Sequence, residues 1–497
     1  MGQDPEAAWP ELDALRADFD GAVVLPSSGK PYSAACETWH LSPLLKAPRR
    51  PKVVLQPRGT RDVVTAVKFA KSSGLSLSVK SGGHSPNNAC LSDGGITIDL
   101  GLMRSVYVDP EKRTAVAEGG CRLGDVDAET SLYSLAIPLG HAPITGMGLV
   151  LNGGIGVAGK VFGPASDHID EVTVVTAEGD VVTASPTSHT ELYWAMCGAG
   201  SAFGVATKIK LRLHDVSDCI GGQIMMPFSR DTLQAASHWL LSTGWRKKEF
   251  CCTQFVVRPP GAPQMIGLMI MYFGSESVDE KQAFLAPIRK LPLVQDNFGS
   301  MNYYQVQQSL KPMLSIVPGR REYATSGGFG IGQINAQLLD RVMDEILTQI
   351  PEPLQASIFT LDWWASEFIS NSKAPIGFRN KQIGMLMLAA WYDEKHNDTG
   401  VSFAKYCKKT LESMHTDDGI YANADLITPD VVNDEGIAKR VGGHENLARL
   451  RAVKVEYDPT NLFRNHHFTG HFKDAKAPLI LSILDFNVCQ LGQQQQI

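Results

Sequence analysis

A histidine that follows paired glycines is placed to touch whatever those glycines admit. In VKSGGHSPNNA, residues 79–89, a strand ending at Val79 and Lys80 runs into Ser81, Gly82, Gly83, His84 and Ser85. Glycine has no Cβ, so such a loop lets a ligand approach the backbone closely. Histidine is the side chain that is nucleophilic and largely neutral near pH 7. Contact with such a ligand is what the position offers, and a histidine that only hydrogen-bonds within its own loop is the plain alternative. A second stretch, PITGMGLVLNGGIGVAGKVFG at 143–163, sets seven glycines among apolar residues with Asn152 between them. A flexible linker would be serine-rich; this composition suits a compact loop with amides turned to an anion, or else the tight turns of a β domain. ELYWAMCGAGSAFGVAT, 191–207, is a third such loop. Three amide-rich loops in one region imply a large dinucleotide ligand.

Other patterns fail on context. GIGVAG, 154–159, satisfies G-x-G-x-x-G, but Gly163 and Pro164 follow too soon for the helix a Rossmann site needs. Gly154, Gly159 and Lys160 imitate a P-loop, yet Val161 stands where a magnesium-binding hydroxyl belongs. His466, His467 and His471 have no carboxylate or cysteine with them, so no metal site is expected. No G-x-S-x-G elbow supports a hydrolase.

The elements that must position the loops read as two regions. Over 50–215, short strands (PKVVLQP, LSLSVK, GGITIDLG, RTAVAEGG) alternate with helices, the first capped by Thr60 and ended by Gly74, and the hairpin IDEVTVVTAEGDVVTAS closes the run. Over 216–415 glycine thins and aromatics gather: Tyr303, Tyr304, Phe359, Trp363, Trp364, Trp391 and Tyr392. The helix NAQLLDRVMDEILTQI ends at Pro351. These aromatics lean toward an apolar or aromatic small-molecule substrate. The chain has 497 residues, a net charge of −6 and no Lys/Arg stripe, which argues against nucleic acid. No apolar stretch reaches the roughly 20 residues of a membrane span. The acidic start lacks signal-peptide features, and the nine cysteines are scattered, so reduced thiols and a cytoplasmic location are expected.

In order along the chain, SGGHS, PITGMG with NGGIG, FGPASDHIDEVTVVTAEGDVV and ELYWAMCGAGSAFGV closely resemble the FAD-binding domain of the vanillyl-alcohol oxidase/p-cresol methylhydroxylase (PCMH) superfamily. VEYDPTNLFRNHHF looks like the C-terminal element of its berberine bridge enzyme-like branch. The resemblance implies an α+β, two-domain PCMH-type FAD-binding fold. An N-terminal segment (1–45) precedes the FAD domain (46–215), an antiparallel-sheet substrate domain follows (216–415), and the tail (416–497) completes the FAD domain. It implies that Ser81, Gly82, Gly83 and Ser85 take the pyrophosphate and that His84 bonds covalently to the flavin 8α-methyl. It extends cofactor contact to Lys80, Pro143, Thr145, Gly146, Gly148, Asn152, Gly153, Gly154, Gly156, Gly204, Val205, Asn423, Asn461 and Phe463. Doubly tethered members carry a Cys-Pro where this chain has Ala142–Pro143, so a single tether is expected. YANAD at 421–425 matches the family's Tyr-x-Asn-Tyr except for Ala424, which makes Tyr421 the first candidate base and Tyr323 the second. The implied activity is oxidation of a small molecule, with dioxygen reoxidising the flavin. A non-redox isomerase or cyclase that retains FAD, and a catalytically silent flavin-binding protein, stay open beside it.

Overall fold

A computed structural model describes residues 9–464 apart from 40, 44, 46, 86–87, 259–260, 312–319, 330–334, 364–370, 379–382 and 415–433. The first sheet joins β1 (Ala22–Val24), β2 (Val53–Gln56), β3 (Leu77–Lys80) and β4 (Ile96–Asp99) in the order β1-β2-β4-β3. β2 and β3 both run parallel to β4. Parallel strands need a crossover, and the helix Thr60–Ser73 provides the one between β2 and β3. Its Val63, Ala66, Val67 and Ala70 are buried with Val53, Leu55, Ile96 and Ile98. The helix stops where Gly74 takes a left-handed φ of 65°, its N–H donating to the Lys71 carbonyl. Thr60 is not the cap: it is the first helical residue, and its hydroxyl meets that of Thr207 at 3.1 Å.

The second sheet is antiparallel and takes β5 (Val106–Asp109), β6 (Thr114–Glu118), β8 (Ile169–Val175), β9 (Val181–Ala184) and β10 (Val205–Arg212) in the order β5-β6-β10-β8-β9. A short ladder of β7 (Leu135–Ala136) with β11 (His214–Asp215) stands apart. β8 and β9 form the expected hairpin. β5 was not legible in the sequence because its side chains are half-buried or exposed, which leaves no apolar alternation. A single helical turn, Gly159–Phe162, does form where none was expected, and Gly163 ends it.

The third sheet has seven antiparallel strands: β12 (Ile220–Pro227), β13 (Phe250–Val257), β14 (Met265–Tyr272), β15 (Gln295–Asp296), β16 (Arg321–Phe329), β17 (Ile358–Trp363) and β18 (Ile383–Trp391), ordered β15-β12-β14-β13-β17-β18-β16. Side chains alternate across a strand, so its two faces differ. One face carries Phe250, Cys252, Val256, Tyr323, Phe359, Leu361, Trp363 and Trp391 into a core shared with the helices Arg230–Ser242, Ala336–Glu345 and Asn397–Met414. The other lays Cys251, Phe255, Val257, Met269 and Met271 on Ala136, Val157 and Ala158 of the first half. The aromatic residues Phe359, Trp363 and Trp391 are therefore core on the helix-covered face, and they form no substrate platform on the other. After that sheet the helices Asp434–Val441 and His444–Tyr457 return to the first half, where Ile437, Val441, Leu447, Leu450 and Val453 join Val150 and Leu151. Among the described residues no helix is long and apolar enough to cross a membrane.

Candidate cofactor and active site

The three glycine-rich loops converge on one cleft, whose empty space is about 1260 Å³ including its open mouth. Ser81, Gly82, Gly83, His84, Ser85, Thr145, Gly146, Gly148, Asn152, Gly204 and Phe463 line it. The loops touch through backbone. A Cβ on Gly82 would stand 2.2 Å from the Gly146 nitrogen, and one on Gly146 the same 2.2 Å from that of Gly82. Only glycine at both positions permits this approach. Ser81 stitches the contact: its hydroxyl donates to the Gly119 carbonyl at 2.8 Å and accepts from the Met147 N–H at 3.2 Å. Gly83 has φ 71°, a left-handed turn that re-aims the chain so that His84 faces the cleft. The Asn152 amide donates to the Gly148 carbonyl at 2.7 Å and accepts from Ser201 at 3.2 Å, which ties the second loop to the third.

The tail closes the cleft from a distance in sequence. Asp458 accepts the backbone N–H groups of Leu462 at 2.7 Å and Phe463 at 2.9 Å. The Lys454 ammonium reaches the Asp458 carboxylate at 2.6 Å and the carbonyls of Ala202 and Phe463. Both charges are buried, and burial lowers the Lys454 pKa while Asp458 pulls it back. This clamp is why YDPTNLF puts Phe463 on the cleft wall.

Several expected contacts are not brought to the cleft. Lys80 turns to the Ala35 carbonyl at 2.7 Å and to Asp99. Gly153, Gly154 and Gly156 are packing positions, where a Cβ would strike Ile376, Leu149 and the Leu139 carbonyl. Pro143 accepts from the Gly124 N–H, Val205 is core, and Asn461 shapes the turn before Phe463 with a φ of 51°. Lys160 of the P-loop imitation donates to the carbonyls of Gly244, Lys247 and Phe250, and burial pushes its pKa down to about 8. Tyr323 is 1% exposed on the helix-covered face of the third sheet, so it cannot be the base at this site. Tyr421 and Asn423 lie outside the described residues. The sequence reading missed Ser78, Gly119, Gly200 and Ser201 on the cleft wall. Of these, Gly119, in a glycine pair after β6, carried the same signal as Gly82.

It also missed a carboxylate. Asp362 of β17 lies on the sheet face turned toward the first half, 6% exposed. Its two oxygens accept the Thr253 hydroxyl at 2.7 Å and the Thr360 hydroxyl at 2.9 Å. Burial raises its pKa above the ordinary carboxylate value; His141 nearby and the two hydroxyls pull it back. The segment holding His141 is fixed by the helix Tyr303–Gln308: the Tyr303 hydroxyl donates to the Ile137 carbonyl at 2.8 Å, and Gln307 donates to Leu139 at 3.2 Å. On the neighbouring strand β18, Asp362 is opposite Gly384.

The cleft fits a flavin dinucleotide. Among the described residues no Asp, Glu, Lys or Arg side chain lines it, so a pyrophosphate there would be held by loop amides and by the hydroxyls of Ser85 and Thr145.

Residues 51–185 match the family described as FAD binding domain, and residues 443–467 the one described as berberine and berberine like. The (R)-6-hydroxynicotine oxidase of Paenarthrobacter nicotinovorans is 28% identical over 91% of this chain and 97% of its own length. An FAD-linked oxidoreductase of Aspergillus terreus is 27% identical over 90% of this chain and 94% of its own. The crystal structure of 6-hydroxy-D-nicotine oxidase from Arthrobacter nicotinovorans superposes with a TM-score of 0.77 and 27% identity over 90% of this chain and 97% of that one. With its FAD-binding and berberine-like segments in this order on this fold, the chain is an FAD-linked oxidoreductase that resembles the berberine bridge enzyme-like branch of the PCMH-type superfamily.

Proposed function

We propose that the protein is an oxidase of a small alcohol or amine, of the kind met in secondary metabolism, with FAD tethered through His84 alone. When bound, FAD accepts a hydride from the substrate carbon and passes the electrons to dioxygen, giving hydrogen peroxide. The chain's own part is to hold the substrate and take its proton. Asp362 is the proposed acceptor of a hydroxyl or ammonium proton. The observation that carries this reading is a buried carboxylate of raised pKa, oriented by Thr253 and Thr360, on the face that meets the cofactor-binding half. Burial brings its pKa nearer neutrality, where a base is strongest while still ionised. Tyr421 is the alternative base. Ala142 in place of the second anchor supports the single tether, and the ordered Ser81–Ser85 loop supports His84 as its site.

The test is a panel of alcohols and amines mixed anaerobically with the yellow protein, followed by air. Flavin bleaching, then peroxide, is the expected result. A product of unchanged mass formed without bleaching or peroxide would replace the oxidase with a non-redox isomerase.

A further inference from the structure

We propose that Trp39 is the positioning residue for the covalent attachment of FAD, presenting the His84 imidazole edge-on to the cleft. The inference rests on the tether reading above and adds a residue from the N-terminal segment to it. The Trp39 indole is 5% exposed and stacks on the His84 ring, with centroids 4.7 Å apart and planes at 17°. Its place is set from several directions. The Trp39 N–H donates to the Gly83 carbonyl at 3.0 Å, so the stacking partner is bonded to the residue next to the histidine it touches. Asn88 reaches Thr38 at 3.0 Å and Ser42 at 2.8 Å, while the Leu41 N–H donates to the Arg320 carbonyl at 2.9 Å. The Arg320 guanidinium lies over the indole, 5.2 Å from its centre, and is paired with Glu322 at 2.9 Å. Thr38, Trp39, Leu41 and Ser42 thus strap the cofactor loop to the N-terminal end of β16.

Bond formation between a His84 ring nitrogen and the 8α carbon moves the imidazole N–H hydrogen and one methyl hydrogen, as two protons and two electrons, onto the flavin ring. Dioxygen then removes them as hydrogen peroxide. The step needs the nitrogen aimed at one carbon. An imidazole free to rotate about χ1 and χ2 meets that geometry seldom, whereas one held flat on a fixed indole has its ring plane set. A misplacement of about 1 Å can cost on the order of 10²-fold in rate.

Wild type, Trp39→Phe, Trp39→Leu and His84→Ala are purified, and each is read for total FAD per chain and for the share of that FAD left in the acid pellet. The pellet share separates attachment from binding, which a merely structural loss would lower together. Wild type and Trp39→Phe should hold their flavin in the pellet, and a flat ring in Phe is the rescue. Trp39→Leu should bind FAD but attach it at least about tenfold more slowly when apoprotein from riboflavin-starved cells is mixed with FAD in air. Equal attachment rates in Trp39→Leu and wild type would overturn the proposal. So would parallel loss of bound and attached flavin in both Trp39 variants. Acid-soluble flavin in wild type would overturn the tether itself, a different result from either.

Discussion

On the cofactor side of the molecule, Gly82 and Gly146 meet backbone to backbone, and Ser81 bonds across the seam. On the proposed substrate side, Thr253, Thr360 and Asp362 form a cluster of side chains from two strands of the seven-stranded sheet. The cofactor wall is made by what its residues lack, and the substrate wall by what they carry. At Gly82 and Gly146 the first has no room for an added carbon. The second rests on hydroxyl-to-carboxylate hydrogen bonds between side chains.

Substitutions on each wall should fail in different ways. Gly146→Val puts side-chain carbons against the Gly82 backbone and costs about 1–3 kcal/mol of overpacking or more. If that strain falls on the FAD-bound state, occupancy measured by visible absorbance should drop about tenfold or more, 1.4 kcal/mol being one decade. A normally yellow Gly146→Val protein would mean that the loops do not meet as described. Asp362→Asn should do the reverse, leaving FAD bound and lowering the rate of flavin reduction by roughly 10²–10⁴-fold. Tyr421→Phe is the paired control, and a larger loss there would move the base to the tail.

The pH dependence sharpens the same contrast. A carboxylate acts as base only when ionised, so wild-type flavin reduction should rise with pH through a midpoint above the ordinary aspartate value of about 3.9. Asp362→Asn should lack that limb. Stability moves the other way. Because burial raises the folded pKa of Asp362, the unfolded chain gives up this proton first as pH rises. Its stabilising effect is fully present below about 3.9 and is lost as pH climbs through the raised folded value. The melting temperature of Asp362→Asn relative to wild type should therefore increase across that window. Melting curves at matched pH values would show the variant-minus-wild-type difference rising, and a constant difference would contradict the shift.

Lys454→Met breaks a buried pair from one side and should cost about 3–5 kcal/mol, seen as a lower denaturant midpoint together with weaker FAD retention as Phe463 is released. Tyr323→Phe should be the mildest change. It removes a hydroxyl from the helix-covered core, so turnover should stay within experimental error, and stability should fall by no more than about 1.5 kcal/mol.

The two walls also differed in how far the sequence disclosed them. Loops built on glycine announce themselves, because the residue type and the backbone requirement are one fact: SGGHS and TGMG are contiguous, and both reach the cleft. Yet the glycine count overstated the site, since Gly153, Gly154 and Gly156 are glycine for the sake of packing neighbours rather than a ligand. Asp362 was hidden for the opposite reason. Its partner Thr253 is set by the register of β13 on β17, and its facing histidine comes from the cofactor half. No local pattern encodes either relation. Tyr323 misled because strand alternation, not sequence neighbourhood, decides which face a residue serves.

The central claim, that the two walls face each other across the flavin, is tested most directly by a crystal structure of the yellow protein. The account predicts electron density continuous from the His84 ring into the flavin, with the flavin ring lying between the Ser81–Ser85 loop and Asp362. A flavin ring turned away from Asp362, or density joined to a residue other than His84, would contradict it.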